Sequence, residues 1–333
     1  MQAFVLRSIS PLEYGIEDIP QPPLADGYAR VRLHAAALNH RDVWITKGQY
    51  AKIELPVVLG SDGVGEIVEV NSETDGLTVG TYVLLNPNIN WGGDERTQSK
   101  SYSILGMPQQ GTLAEYISVP LNRIHRVPSH LSSEQAAALP LAGLTAYRAV
   151  FTQGHCSNAD TVLITGIGGG VALAALHFAV QSGARVYVTS SSEDKINRAV
   201  ELGASGGFLY TDSEWTKQAL SHTGGFDLCI DGAGGATMNQ LLNVVNPGGR
   251  IVSYGATHGI VPDFDIRKVF WKQITLQGTT MGSDNDFASM LRYVGQHHIV
   301  PVIDSVIPFA ETQRAFERMN GMAQFGKIVV SLR

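Results

Sequence analysis

One stretch limits the folds open to this chain more than any other: residues 161–189. Thr161-Val162-Leu163-Ile164-Thr165 is a short β-branched apolar run. Gly166-Ile167-Gly168-Gly169-Gly170-Val171-Ala172 follows, then an alanine-rich segment to Ser182, a Gly183-Ala184 turn, and Arg185-Val186-Tyr187-Val188-Thr189. Buried strand, glycine turn, helix, turn, buried strand is one βαβ unit of a parallel sheet. The glycines have a chemical reason. A dinucleotide's pyrophosphate reaches the main chain only where no Cβ intervenes, and the helix that opens next aims free N–H groups and its positive dipole end at the phosphates. The spacing is G-x-x-G-x-x-A over Gly166, Gly169 and Ala172, because Val171 stands where a strict G-x-G-x-x-G needs its third glycine. Alanine suffices in the last slot, which serves only close helix–strand packing. Gly166, Gly168, Gly169, Gly170 and Val171 are therefore candidate coenzyme contacts.

At 333 residues the chain exceeds the usual size of one domain, so two are expected. Apolar residues at 44% and charged ones at 16% supply ample core and carry no disorder signature. A net charge of −6, with no basic run, argues against a nucleic acid or an anionic membrane as partner. Cys156 and Cys229 are too few for a disulfide framework or a cysteine-rich metal site, and their scarcity suits a reducing compartment. Residues 1–7 lack the marks of a signal peptide, and no uncharged apolar stretch approaches about 18 residues. The expected setting is cytoplasmic.

Residues 1–125 read as β-rich. Residues 28–35 alternate, with Val31, Leu33 and Ala35 on one face, and further short runs at 66–70, 79–85 and 113–119 lie between Gly and Pro turns. A compact, irregular β-barrel is expected. Residues 86–110 are polar and aperiodic around Trp91-Gly92-Gly93-Asp94-Glu95-Arg96; about 25 residues without a regular pattern predict a functional or interaction loop. Ser132 with Gln135 forms a capping box that starts a helix through Leu139, Leu144, Ala146 and Ala149. Beyond residue 160 strands and helices alternate. Helices are expected at 193–202, 214–222, 237–245, 287–298 and 311–319, and strands at 207–210, 226–231, 250–254, 274–278 and 327–332. The pattern predicts an α/β chain with a doubly wound parallel sheet.

At the tip of the second strand an NAD-preferring site places an acid for the ribose 2′-hydroxyl, about 20 residues past the glycines. Here the tip is Thr189-Ser190-Ser191-Ser192, and the first acids, Glu193 and Asp194, fall in the next helix. Without that carboxylate a 2′-phosphate is not repelled, and Ser190, Ser191, Lys195 and Arg198 suit it. NADP(H) is the expected coenzyme. Ser190 with Glu193 also reads as a capping box, a use compatible with the first. Tyr210 ends the third strand, either beside the adenosine or packed on the sheet edge. Ligands of open parallel sheets bind at the carboxyl ends of strands. Those ends carry Asp231-Gly232-Ala233-Gly234, Tyr254-Gly255-Ala256 and Gly278-Thr279-Thr280-Met281-Gly282. Gly232, Gly255, Ala256 and Thr279 are the candidate contacts for the nicotinamide half.

Five segments carry a resemblance: Ala37-Leu38-Asn39-His40-Arg41-Asp42-Val43-Trp44, Leu59-Gly60-Ser61-Asp62-Gly63-Val64-Gly65, Ala138-Leu139-Pro140-Leu141-Ala142-Gly143-Leu144-Thr145-Ala146-Tyr147, the Gly166 loop, and Phe325-Gly326-Lys327-Ile328-Val329-Val330. With them the chain resembles, over essentially its whole length, the medium-chain dehydrogenase/reductase superfamily. The resemblance implies a GroES-like β-barrel catalytic domain of residues 1–125 and 284–333 around a Rossmann coenzyme domain of residues 126–283. Zinc-dependent alcohol dehydrogenases of that superfamily hold catalytic zinc through cysteine, histidine and cysteine. The matching positions here are Asn39, Ser61 and Leu141, which offer neither thiolate nor imidazole. The lobe matching residues 86–110 holds a four-cysteine structural zinc in many relatives and has no cysteine here. No metal is expected, and the sequence is similar to the zinc-free quinone-oxidoreductase-like branch.

The same resemblance assigns roles. Asn39 would orient nicotinamide or substrate, Thr145 would touch the nicotinamide, and Lys327 would bind coenzyme. Tyr50 aligns with a tyrosine that donates a proton in similar 2-enoyl thioester reductases, and a cleft-wall aromatic is the alternative. His40 and Arg41 read as a solvated or locally paired loop. The expected activity is NADPH-dependent, zinc-independent reduction of a small quinone, enone or related activated carbonyl compound. A 2-enoyl thioester reductase and a non-catalytic NADPH-binding sensor or structural protein are the alternatives. By analogy the protein is a homodimer through residues 274–278, pairing with their copy at a sheet edge.

Overall fold

The computed structural model describes residues 1–71 and 76–333. β1 (Gln2–Ile9) and β2 (Leu12–Asp18) form a hairpin, followed by β3 (Tyr28–Ala37). In β3 every second residue is buried at first, and then its last five residues all are, where neighbouring elements cover both faces. α1 (His40–Thr46) leaves its end, a short helix that the spacing did not announce. β4 (Val57–Val58), β5 (Asp62–Val70) and β6 (Tyr82–Leu85) follow.

Residues 86–110, expected to be without regular structure, instead hold a small sheet of β7 (Asn88–Ile89), β8 (Ser103–Leu105) and β9 (Pro108–Gln109). Strands of two or three residues are too short to leave a period in the sequence. Trp91 is buried there, edge-on to Tyr102 at 5.4 Å between ring centroids. β10 (Tyr116–Pro120) and β11 (Ile124–Arg126) close this part of the chain.

The single helix expected from residue 132 is two. α2 (Ser133–Ala137) starts with the expected capping box between Ser132 and Gln135. Pro140, which has no N–H to continue a helix, instead opens α3 (Pro140–Tyr147) as its first residue. A π-helical turn over residues 148–153 continues from it.

Two compact units result: Met1–Ala142 with Ser283–Arg333, and Gly143–Gly282. The first changeover lies within α3, well beyond residue 125, because α2 packs on β3 and β5.

In the second unit β12 (Thr161–Ile164), α4 (Gly170–Gln181) and β13 (Arg185–Ser190) form the βαβ unit read from the sequence. α5 (Glu193–Glu201), β14 (Gly206–Leu209), α6 (Trp215–Thr223), β15 (Phe226–Asp231), α7 (Thr237–Val244), β16 (Val245–Ser253), α8 (Ile266–Lys272) and β17 (Thr275–Gly278) continue it. The strands lie parallel in the order β14-β13-β12-β15-β16-β17. This is the doubly wound Rossmann order, with its switch point between β12 and β15. All four β12 side chains are buried, as expected of a central strand covered on both faces.

The chain then returns to the first unit through α9 (Asp284–His297), β18 (Ile303–Pro308), α10 (Thr312–Asn320) and β19 (Lys327–Ser331). β19 inserts antiparallel beside β3, so the larger sheet of this unit runs β11-β6-β5-β3-β19-β18, with β10 also on β3.

Candidate active site

The glycine turn sits at the carboxyl end of β12, at the switch point. Gly166 has φ +63° and Gly168 φ +141°, backbone that favours glycine. A Cβ built on Gly166 or on Gly169 meets no protein atom within 4 Å. Packing inside the protein therefore does not explain glycine at 169; the vacant volume fits a phosphate against bare main chain, over the opening turn at Gly170 and Val171. The turn is pinned from behind. Gly166 N donates to Thr189 Oγ1 (3.2 Å) and Ile167 N to Thr189 O (2.8 Å).

Asp231 ties the neighbouring strand ends together. Its buried carboxylate accepts from Thr165 Oγ1 (2.7 Å), Ala233 N (3.1 Å) and Gly234 N (3.0 Å). Gly232 is needed because the Tyr254 ring lies against it, its Cζ 2.5 Å from where a Cβ would stand. Gly255, beside Ala256, faces Gly232 O at 3.1 Å by the same measure. Thr279 N donates to Ser253 O (2.9 Å), while its hydroxyl is buried with no partner among the described residues. An orphaned hydroxyl at this strand end fits the polar edge of a bound nicotinamide. Thr145 is buried, its Oγ1 3.9 Å from Met281 Sδ.

At the end of β13, Ser190 is buried and accepts from Ser192 N (3.2 Å), whereas Ser191 is exposed. The N-cap of α5 is Ser192, which accepts from Lys195 N, and not Ser190 as the capping-box spacing suggested. Ser190 is still in β13, two residues too early to cap. Tyr210 N donates to Ser190 O (3.0 Å), which brings the half-exposed tyrosine beside the serine.

In the first unit β3 is flanked by β5 and β19, with Ala37 opposite both Asp62 and Val329. Asn39 and Lys327, each two residues further on or back, are then opposite one another. Lys327 Nζ donates to Asn39 Oδ1 (2.6 Å) and to Asp62 Oδ2 (2.9 Å), and Asn39 Nδ2 donates to the same Asp62 oxygen (2.9 Å). Leu141 N donates to Asp62 Oδ1 (2.8 Å). All three side chains are buried, Asn39 retaining 7% exposure. Lys327, expected on the coenzyme, thus spends two donors within its own unit.

Burial raises the Asp42 carboxyl above the usual range, with Arg41 opposing; Asp42 accepts from Asn39 N (2.8 Å). Burial, then the Lys327 charge, lowers His40.

Arg41 corrects an expectation. It is neither solvated nor paired only locally but a buried hub, donating to Ser61 Oγ (2.7 Å), Leu105 O (2.8 Å) and Met107 O (3.1 Å). Its Nε reaches the Tyr50 hydroxyl at 3.4 Å, and its guanidinium carbon lies 5.0 Å from the Tyr50 ring centroid. Those carbonyls belong to the lobe, 64 and 66 residues away, and no local signal foretells them.

The family's zinc does not fit these residues. Asn39 is bonded at both ends of its amide, Ser61 Oγ accepts from Arg41 and donates to Leu105 O (2.7 Å), and Leu141 offers an aliphatic side chain. The fixed cation at this place is the Lys327 ammonium. Among the described residues no three His, Cys, Asp or Glu side chains gather as metal ligands, and no helix is long and apolar enough to cross a membrane.

A Rossmann unit with an open glycine cradle, joined to a β-barrel unit with a buried polar centre, defines a two-domain nicotinamide-dependent oxidoreductase. Residues 25–129 match the alcohol dehydrogenase GroES-like domain, and residues 170–296 match the zinc-binding dehydrogenase family. The chain is 35% identical to a zinc-type alcohol dehydrogenase-like protein of Leptosphaeria maculans, covering 97% of this chain and 95% of the relative. It is 26% identical to an acryloyl-coenzyme A reductase of Metallosphaera sedula (96% of each chain). It is 25% identical to a quinone oxidoreductase of Pongo abelii (98% of each). A crystal structure of an NAD-dependent alcohol dehydrogenase superposes with a TM-score of 0.94 at 36% identity, over the full length of both chains. The chain belongs to the medium-chain dehydrogenase/reductase superfamily.

Proposed function

We propose that this protein is a zinc-independent, NADPH-dependent reductase of a quinone, an enone or a related activated carbonyl compound. The observation that carries the reading is the conversion of the zinc-ligand positions to Asn39, Ser61 and Leu141, with Lys327 and Asp62 bonded among them. Bound at the glycine cradle, the reduced coenzyme supplies hydride. The chain's own residues then do the rest. Thr145 and Thr279 set the nicotinamide ring, Asn39 donates a hydrogen bond to the substrate oxygen, and Tyr50, held by Arg41, delivers a proton. Ser190, Ser191, Lys195 and Tyr210 receive the 2′-phosphate, since no carboxylate ends β13.

Titration of the protein with NADPH and NADH side by side, then a quinone and enone panel with the tighter one, tests this. Tighter NADH binding sinks the coenzyme choice; stoichiometric zinc required for turnover sinks the metal-free reading. A 2-enoyl thioester is the second substrate class, favoured by the Arg41–Tyr50 contact; crotonyl-coenzyme A in the same panel separates the two.

The working form we propose is a homodimer through β17, an edge strand of its sheet. Leu276 on that strand and Ile266, Phe270 and Trp271 on the preceding α8 are exposed, Trp271 by 82%. A monomer at micromolar concentration in sedimentation velocity would refute it.

A further inference from the structure

Asn39 and Lys327 lie 288 residues apart in sequence and meet only because three strand ends coincide. An ammonium can only donate and a carboxylate only accept, so Lys327 and Asp62 decide which way the Asn39 amide faces. The oxygen turns to Lys327 (2.6 Å) and the nitrogen to Asp62 (2.9 Å). A primary amide has two N–H bonds, and Asp62 takes one. Replacing a buried ion pair by apolar residues is often neutral or stabilising, so holding the fold is a weak reason for this one.

We infer that Lys327 is a positioning residue: it locks Asn39 with its second amide N–H as a stationary donor to the substrate carbonyl oxygen, the charge-stabilising place that zinc takes in metal-dependent relatives. The inference rests on the reading given under Proposed function and deepens it. When hydride reaches the acceptor carbon, the π electrons move towards the carbonyl oxygen. A donor already aimed there needs no reorganisation as that charge grows. The carbanion or enolate is later quenched by one proton from Tyr50 or water; Asn39 and Lys327 begin and end in the same protonation states. The Lys327–Asp62 pair carries no net charge, so its effect passes through orientation, and Asn39 is the residue through which it acts.

Two measurements on the full-length protein test this. The first is a double-mutant cycle in turnover of 2-cyclohexen-1-one or 1,4-benzoquinone, whichever the native protein reduces. Lys327→Met lowers kcat about 30- to 100-fold with the NADPH Kd within about threefold, because one oxyanion donor is typically worth 10²–10³ in kcat. Lys327→Arg recovers part of the loss. In an Asn39→Ala background the same Lys327→Met change costs less than about threefold more, since residues acting through one another are not additive. Losses that simply add, or a loss expressed mainly as weaker NADPH binding, overturn the inference.

The second measurement needs no turnover. In coenzyme-free protein labelled with ¹⁵N-asparagine, the Asn39 side-chain signal, identified by its disappearance in Asn39→Asp, exchanges slowly with solvent and becomes fast in Lys327→Met. An exchange rate unchanged by Lys327→Met overturns the proposal. Should Lys327→Met not fold, Lys327→Arg carries both readouts, with a changed Asn39 signal and reduced kcat expected, and Asn39→Asp carries the kcat readout alone. A native protein that binds NADPH yet reduces neither acceptor defeats the proposed activity alone, and the exchange measurement still decides the Asn39 lock.

Discussion

Glycine meets opposite surroundings at two places, one in each unit. In the first unit its hydrogens press backbone against backbone: a Cβ on Gly65 would stand 2.0 Å from Arg32 O, and one on Gly111 2.2 Å from Gly60 O. In the cradle of the second unit a Cβ on Gly169 meets nothing within 4 Å. The protein's own packing thus demands the residue in one place and does not in the other, where the proposed coenzyme cradle supplies the reason. Sequence alone cannot separate these cases, because both read as glycine between apolar runs. The space around each position separates the packed glycines from the open ones.

The largest effect that can break this contrast is on stability. Gly65→Ala drives a methyl group into the main chain of the adjacent strand, which has no rotamer by which to yield. Overpacking of this kind costs about 3 kcal/mol or more, read as a lower urea midpoint. A loss under about 1 kcal/mol, the size of an ordinary surface change, refutes the packing explanation. Gly169→Ala gives the converse. Its φ of −77° suits any residue, but Gly169 caps α4, where glycine is preferred to alanine, so the two effects offset and stability changes by under about 1 kcal/mol. Affinity for the nicotinamide coenzyme nevertheless falls about 10- to 100-fold, equal to about 1.4–2.8 kcal/mol. Unaltered affinity in a fluorescence titration would remove the ligand as the reason for that glycine.

How much was legible follows the same division. In the second unit the signals are local. The run Phe226 to Asp231 became β15 at those bounds, and the helix expected at 193–202 became α5 at Glu193–Glu201. Alternating strands and helices each carry their own period, legible before their distant parallel partners are known. The polar centre of the first unit has no such trace. Arg41 reads as a solvated or locally paired loop residue because its partners, Leu105 O and Met107 O, come from a distant lobe. The resemblance singles out Asn39 but assigns its partner Lys327 to the coenzyme, since only the β3–β19 register brings the two together. α1 and the lobe strands were missed for a different reason: at two to seven residues they are shorter than a recognisable period.

The smallest expected effect concerns acid, and it sharpens the comparison between units. Burial lowers His34, His40 and His125 in the first unit and His177 in the second. His125 is the clearest case: burial first, then the Arg123 charge, brings it down to about 4. Its ring packs on Phe287 at 4.8 Å, and no described residue accepts from its Nε2. Between that value and the ordinary 6.5 the unfolded chain binds the proton that the folded chain refuses. Stability from neutral His125 is therefore complete above about pH 6.5 and declines as pH falls towards 4. From pH 7.5 to 5.5 the loss from this residue is about 1 kcal/mol. Native-state hydrogen exchange, corrected for intrinsic rates, should show the slowest amides of β3 and β5 losing protection over that range before those of β12 and β15. His125→Phe should flatten the loss in the first unit. Equal loss in both units would mean that the histidines of the barrel unit do not set its acid limit.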